Sequence, residues 1–168
     1  MLLNLCFPEK RQYIHEEMGW NYRMSNLQAA VGVAQLEKLP ETIRKKRHIG
    51  QLYTSLLQDV DGILLPIPTT EYAENIYWIY GIVLQKKSGW NNLDFCRRLA
   101  EYKIGSRYFF TPMHKQPVWQ KRGLFTGESY PASEFLSKMG FYVPTGVALT
   151  DEQIEEVANA IKDILKYG

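Results

Sequence analysis

The chain has 168 residues, 20 basic against 18 acidic side chains and a formal net charge of +2; 45% of residues are hydrophobic and 23% charged. That composition is ordinary for a folded domain and excludes a disordered chain. It also excludes a strongly basic nucleic-acid binder, and no apolar run approaches the roughly 18 residues that crossing a bilayer needs.

The opening, from Met1 to Tyr13, carries turn residues and charges without periodicity and reads as a loop. Leu2 to Phe7 is too short for a signal-peptide core, which predicts a cytoplasmic, reduced compartment. Cys6 and Cys96 lie far apart in no metal-ligand spacing, and Cys96, on an apolar stripe, reads as a small buried hydrophobe.

Ser25 and Gln28 form a capping box ahead of Leu27–Leu36, a run whose Ala29, Ala30, Gly32 and Ala34 let another backbone approach closely. Pro40 interrupts it, and Ile49, Leu52, Tyr53, Leu56 and Leu57 then recur at helical spacing. The pattern predicts a long, kinked or broken helical arm from Ser25 to Gln58. Within it, Arg44 to His48 could be a phosphate patch, but the balanced charge favours a solvated helix face.

A turn at Asp59–Gly62 leads into an extended Leu64–Pro68. Asn75 to Leu84, dense in aromatic and β-branched residues, predicts a strand buried on both faces. Leu93, Cys96, Leu99 and Ala100 mark a helix to about Lys103, and Ile104 to Phe110 predicts a second strand. A Pro-bounded loop, Thr111–Val118, precedes a short helix from Pro131 to Met139 and a third strand, Phe141–Val143. Thr150 and Gln153 cap a last helix with Ile154, Val157, Ala158, Ile161, Ile164 and Leu165 in near-perfect period. The order implies an α+β fold, helices on one face of a three- or four-stranded sheet.

Spacing alone singles out no catalytic constellation. His15, His48 and His114 are scattered, and there is no Gly-rich phosphate loop or nucleophile motif. Two stretches stand out by residue type. Gly19-Trp-Asn-Tyr-Arg-Met-Ser25 places an Asn amide and an Arg fork before a capped helix, which could hold a phosphate or simply satisfy a loop. Tyr108-Phe-Phe-Thr-Pro-Met-His-Lys-Gln-Pro117 sets aromatic faces beside a His and a Lys, which suits a sugar or nucleotide and equally a core-packed strand end.

The run NLCFPEKRQYIHEEMGWNYRMSNLQAAVGVAQLEKL, with YFFTPMHKQPVW, SYPASEFLSKMGFYVPTG and TDEQIEEVANAIKDIL after it, resembles the C-terminal part of the DegT/DnrJ/EryC1/StrS family of PLP-dependent sugar aminotransferases, in its perosamine-synthase-like branch. The resemblance implies the small C-terminal domain of a fold-type-I enzyme. Residues 1–24 would be a loop remnant of the large PLP-binding domain, 25–58 a connecting helical arm and 59–168 the small α+β domain. It implies pyridoxal 5'-phosphate as cofactor, a nucleotide-sugar substrate with a 4-keto-6-deoxy sugar, and an amino-acid donor, usually glutamate. It further implies a homodimer with active sites at its interface. Residue by residue, Asn21 maps to the position reaching the PLP phosphate of the neighbouring subunit and Arg23 to a second contact. His114, with Phe110 and Tyr108, maps to the sugar-nucleotide side. The family's Schiff-base lysine lies upstream of the matched region, so no catalytic residue is assigned and the chain alone is expected to be inactive. Lys10 is not in the lysine motif. A non-catalytic binding domain retaining this fold, a PLP-dependent sugar dehydratase and, least of all, an RNA-binding domain remain as rival readings.

Overall fold

The computed structural model describes residues 22–167. The chain divides after Pro40 into two compact units. In the first, helix α1 spans Asn26–Glu37. Ser25 caps it as predicted: its Oγ accepts from Gln28 N at 3.3 Å, and Gln28 Oε1 accepts from Ser25 N at 2.9 Å. No residue of α1 is buried, and Leu27, Val31, Val33 and Leu36 are exposed. Around Gly32 the space is open. The arm does break, at Lys38, and α2 resumes over Leu39–Leu57.

The second unit begins at Glu41 and is built on a four-stranded antiparallel sheet in the order β1-β2-β4-β3. Its strands are β1 (Ile63–Leu64), β2 (Tyr80–Leu84), β3 (Arg107–Tyr108) and β4 (Gly140–Val143). Helices α3 (Asn92–Glu101), α4 (Pro117–Gln120), α5 (Pro131–Met139) and α6 (Asp151–Tyr167) complete it. Tyr80, Ile82 and Leu84 of β2, with Phe141 and Val143 of β4, line one sheet face. Against them pack Ile49, Tyr53 and Leu57 of α2, Phe95 and Leu99 of α3, and Ile154, Val157, Ala158, Ile161 and Ile164 of α6. Each helix contributes its i, i+3, i+4 stripe, so the core is the meeting of periods 3.6 and 2.

Three expectations change. The predicted Asn75–Leu84 strand shortens to β2, because Tyr77 stands at φ +52°, where no strand can run. Asn75 Oδ1 accepts from Tyr77 N at 2.7 Å and Lys46 Nζ donates to Trp78 O at 2.8 Å, which fixes the irregular entry. Burial along β2 alternates between buried and half-buried rather than being equal on both faces. The Ile104–Phe110 strand shrinks to β3. Lys103 ends α3 in the left-handed region at φ +62°, and Ile104 N still bonds back to Leu99 O at 3.1 Å, so the chain reaches the sheet only at Arg107. Cys96 is half-buried rather than buried, and burial pushes its thiol up, away from reactivity.

Two polar contacts tie the layers. Asn92, buried at the start of α3, donates from Nδ2 to Ser137 O at 2.7 Å and Gly140 O at 2.8 Å, anchoring the α5–β4 junction. Tyr80 Oη and Thr54 Oγ1 lie 2.9 Å apart in the core, and burial raises the Tyr80 phenol to about 12. Thr54 Oγ1 also donates to Gly50 O at 2.8 Å, so removing the phenol leaves the threonine satisfied. Tyr80→Phe is therefore expected to cost only about 1 kcal/mol in urea denaturation.

Candidate functional site

Strand β3 runs into the aromatic stretch. Phe109 N donates to Gly140 O at 2.9 Å, extending the pairing by one bond beyond the strand. Its ring lies over Gly81 and Gly140 and stacks on Tyr142 at 4.6 Å, on the sheet face away from the core. The glycines are needed there: a Cβ on Gly140 would fall 2.3 Å from the Phe109 ring. With Phe109 anchored, its neighbours Tyr108 and Phe110 are left exposed, Phe110 at 84%. Such a display suits a planar or pyranose ligand.

Beyond Phe110 the chain makes a 3₁₀ turn at Met113–Lys115 and the single-turn α4. His114 is buried, with only 5% exposure, and its Nε2 lies 3.0 Å from Glu134 Oε1 in the first turn of α5. Its ring packs against Tyr130 at 4.9 Å, and Gln120 Nε2 donates to its carbonyl at 3.1 Å. Glu134 also accepts from Tyr130 N at 3.3 Å and Ser129 Oγ at 3.4 Å, and faces Lys115 Nζ at 3.4 Å. The hydrogen bond from His114, then that from Tyr130, then Lys115, hold the Glu134 carboxyl down at about 2. A depressed folded value means that its contribution to stability is full above the ordinary value of 4.5 and drains as pH falls towards 2. A carboxyl-detected NMR titration is expected to place the Glu134 midpoint near 2.

Tyr108, Phe110 and His114 thus share the second unit, the first two offering surface and the third fastening the loop between them and α5. Arg23 belongs to the first unit and is exposed two residues ahead of the Ser25 cap. Its guanidinium fork matches a phosphate in charge and geometry, so the donor type fits PLP phosphate. Asn21 lies outside the described residues. Among lysines, Lys46 has its amine lowered by burial and engaged by Trp78 O and by Thr145 O at 2.6 Å, as a brace.

The basic run is mostly paired. Lys45 meets Glu41 at 2.9 Å, Arg47 meets Glu74 at 2.8 Å and His48 meets Asp151 at 2.7 Å. Arg44, Lys45 and His48 are exposed, as the reading of a solvated face has it, while Lys46 and Arg47 are half-buried. Among the described residues no group of three or more His, Cys, Asp or Glu could hold a metal, and no helix is long and apolar enough to cross a membrane.

Residue-type reasoning singled out the stretch that holds Phe109 without separating its role from that of its neighbours, and it missed Glu134 and Tyr142. Glu134 had one signal, an acidic side chain in the first turn of a helix opened by a proline.

The comparisons with known proteins agree with this fold. The profile of the DegT/DnrJ/EryC1/StrS aminotransferase family matches residues 2–162. A GDP-perosamine synthase of Vibrio cholerae is 33% identical over 156 residues, covering 91% of this chain and 41% of that protein. Among solved structures, the Helicobacter pylori aminotransferase PseC, involved in pseudoaminic acid biosynthesis, superposes with a TM-score of 0.80 at 18% identity, covering 91% of this chain and 40% of that one. The aminotransferase TlmJ of Streptoalloteichus hindustanus gives a TM-score of 0.70 at 25% identity, covering 83% and 36%. The chain spans about two fifths of the length of the curated relatives it matches. Its similarity to a perosamine synthase runs through a C-terminal portion of that protein, and the chain belongs to the DegT/DnrJ/EryC1/StrS aminotransferase family.

Proposed function

We propose that this chain serves as the C-terminal portion of a PLP-dependent aminotransferase that moves an amino group from glutamate to a 4-keto-6-deoxy sugar nucleotide, in a cytoplasmic homodimer. PLP supplies the electron sink for exchanging an amine and a carbonyl, and the protein supplies binding and orientation. In this reading Asn21 and Arg23 grip the cofactor phosphate across the subunit interface. Phe110 and Tyr108 offer rings to the nucleotide sugar. His114, buried against Glu134, serves that side by holding the loop. The Schiff-base lysine comes from outside these residues, so the chain alone does not transaminate.

The observation that carries the reading is the family motif GWNYRMSN followed by a capped helix, together with a locked loop that leaves Phe110 in solvent. The rival of a self-sufficient binding domain is weakened by the same helix. It requires a covered apolar face, and Leu27, Val31 and Leu36 are all exposed.

The test is a chimera in which this chain replaces the matching portion of the Vibrio cholerae relative. Glutamate-dependent amination of a GDP-linked 4-keto-6-deoxy sugar is expected. In the chimera Asn21→Ala and Arg23→Ala should each weaken PLP affinity about tenfold, an effect of ~1.4 kcal/mol read by cofactor titration. A folded, PLP-loaded chimera inert towards keto-sugars would refute the reading.

A further inference from the structure

The excursion between β3 and β4 contains three left-handed residues, Gly123, Phe125 and Gly127, and from Thr111 to Tyr130 it buries only His114. Hydrophobic packing therefore does little to place it, and local opening should be easy. What closes it is one carboxylate oxygen. Glu134 Oε1 accepts from His114 Nε2 at 3.0 Å, from Tyr130 N at 3.3 Å and from Ser129 Oγ at 3.4 Å, with Lys115 Nζ at 3.4 Å. These donors come from both ends of the excursion, and Glu134 itself stands on α5, which leads directly into β4.

His114 is the other half of the fastening. Its ring is out of solvent and packed on Tyr130, and its own carbonyl receives Gln120, so α4 is held to the same point. A buried imidazole that lost its acceptor would carry an unsatisfied ring nitrogen and would leave its place. Four residues upstream stands Phe110, exposed at 84%, its ring meeting only the edge of Tyr142 at 6.4 Å.

We propose that Glu134 is a positioning residue: acting through His114, it clasps the 111–130 excursion against α5 and so sets where that loop stands beside the ring of Phe110. The clasp itself rests on the geometry above. Its bearing on substrate rests on the proposed function.

The first test uses the whole chain and trypsin, whose targets Lys121 and Arg122 are exposed within the excursion. Cleavage after these two residues tracks the population of the opened loop, and in Glu134→Ala it is expected to rise about tenfold or more while the melting transition shifts little. Glu134→Gln keeps an acceptor for His114 and Tyr130 and loses the Lys115 attraction, so it should restore cleavage to within about threefold of the parent. Equal cleavage of the parent and Glu134→Ala would overturn the clasp. The second test reads the chimera kinetically: Glu134→Ala should raise KM for the sugar nucleotide about tenfold with kcat within about threefold, as loss of ground-state binding demands. An active chimera whose KM does not move would overturn the positioning role. Faster cleavage alongside a chimera inactive before any substitution would refute the proposed function and leave the clasp standing.

Discussion

Gly50→Ala is expected to lower the melting temperature by roughly 10 °C, although the position is helical and alanine is the better helix former by about 1 kcal/mol. The reason is Tyr77. A Cβ on Gly50 would fall 2.1 Å from Tyr77 Cγ and within 2.5 Å of both Cδ atoms. The ring is buried and stacked on Tyr80 at 5.9 Å, and its backbone is held at φ +52° with its amide on Asn75 Oδ1. It has no small adjustment available, so the methyl must expel it. Losing a buried aromatic costs about 3–5 kcal/mol, which exceeds the propensity gain several-fold. Differential scanning calorimetry reads the result. The double variant Gly50→Ala with Tyr77→Ala should cost little more than Tyr77→Ala alone, because the two share one contact. A Gly50→Ala protein as stable as the parent would show that the ring does not sit there.

Gly140→Ala is the second large effect, about 2 kcal/mol in denaturant unfolding. At φ −88° and ψ 140° the backbone accepts alanine without strain, so the whole cost is steric. The new methyl would meet the Phe109 ring at 2.3–2.6 Å. Gly81→Ala meets only the far edge of the same ring, 2.9 Å from Cζ, and should cost less. The ranking, with Gly140 worse than Gly81, separates this account from a general intolerance of the sheet. Because Phe109 adjoins Phe110, the chimera carrying Gly140→Ala should also lose affinity for the sugar nucleotide.

Helices were legible in the sequence where their signals were local. The Ser25–Gln28 and Thr150–Gln153 boxes and the break before Pro40 all stand as read. So does the four-stranded version of the α+β sheet under helices. Strand lengths were not legible. High β propensity from Asn75 to Leu84 says nothing of a tyrosine that must turn left-handed to reach Gly50, and Ile104–Phe110 could not reveal that α3 closes on itself at Lys103. β1, two residues long, falls below any periodic signal. In the site, the aromatic stretch was visible but its division of labour was not. Phe109 is anchored and Phe110 displayed because two glycines, one of them thirty-one residues downstream, leave room for one ring. His114 needed Glu134, twenty residues away, before its burial made sense.

The sheet order has a consequence for how copies of this chain can meet. Its two margins, β1 and β3, pair over two residues each. So short a margin offers almost no free backbone for a foreign strand to zip onto, which is one way natural sheets avoid growing into fibres. Self-association at high concentration should therefore leave the amide I band of this chain unchanged and run through the bare apolar side chains of α1, Leu27, Val31 and Leu36.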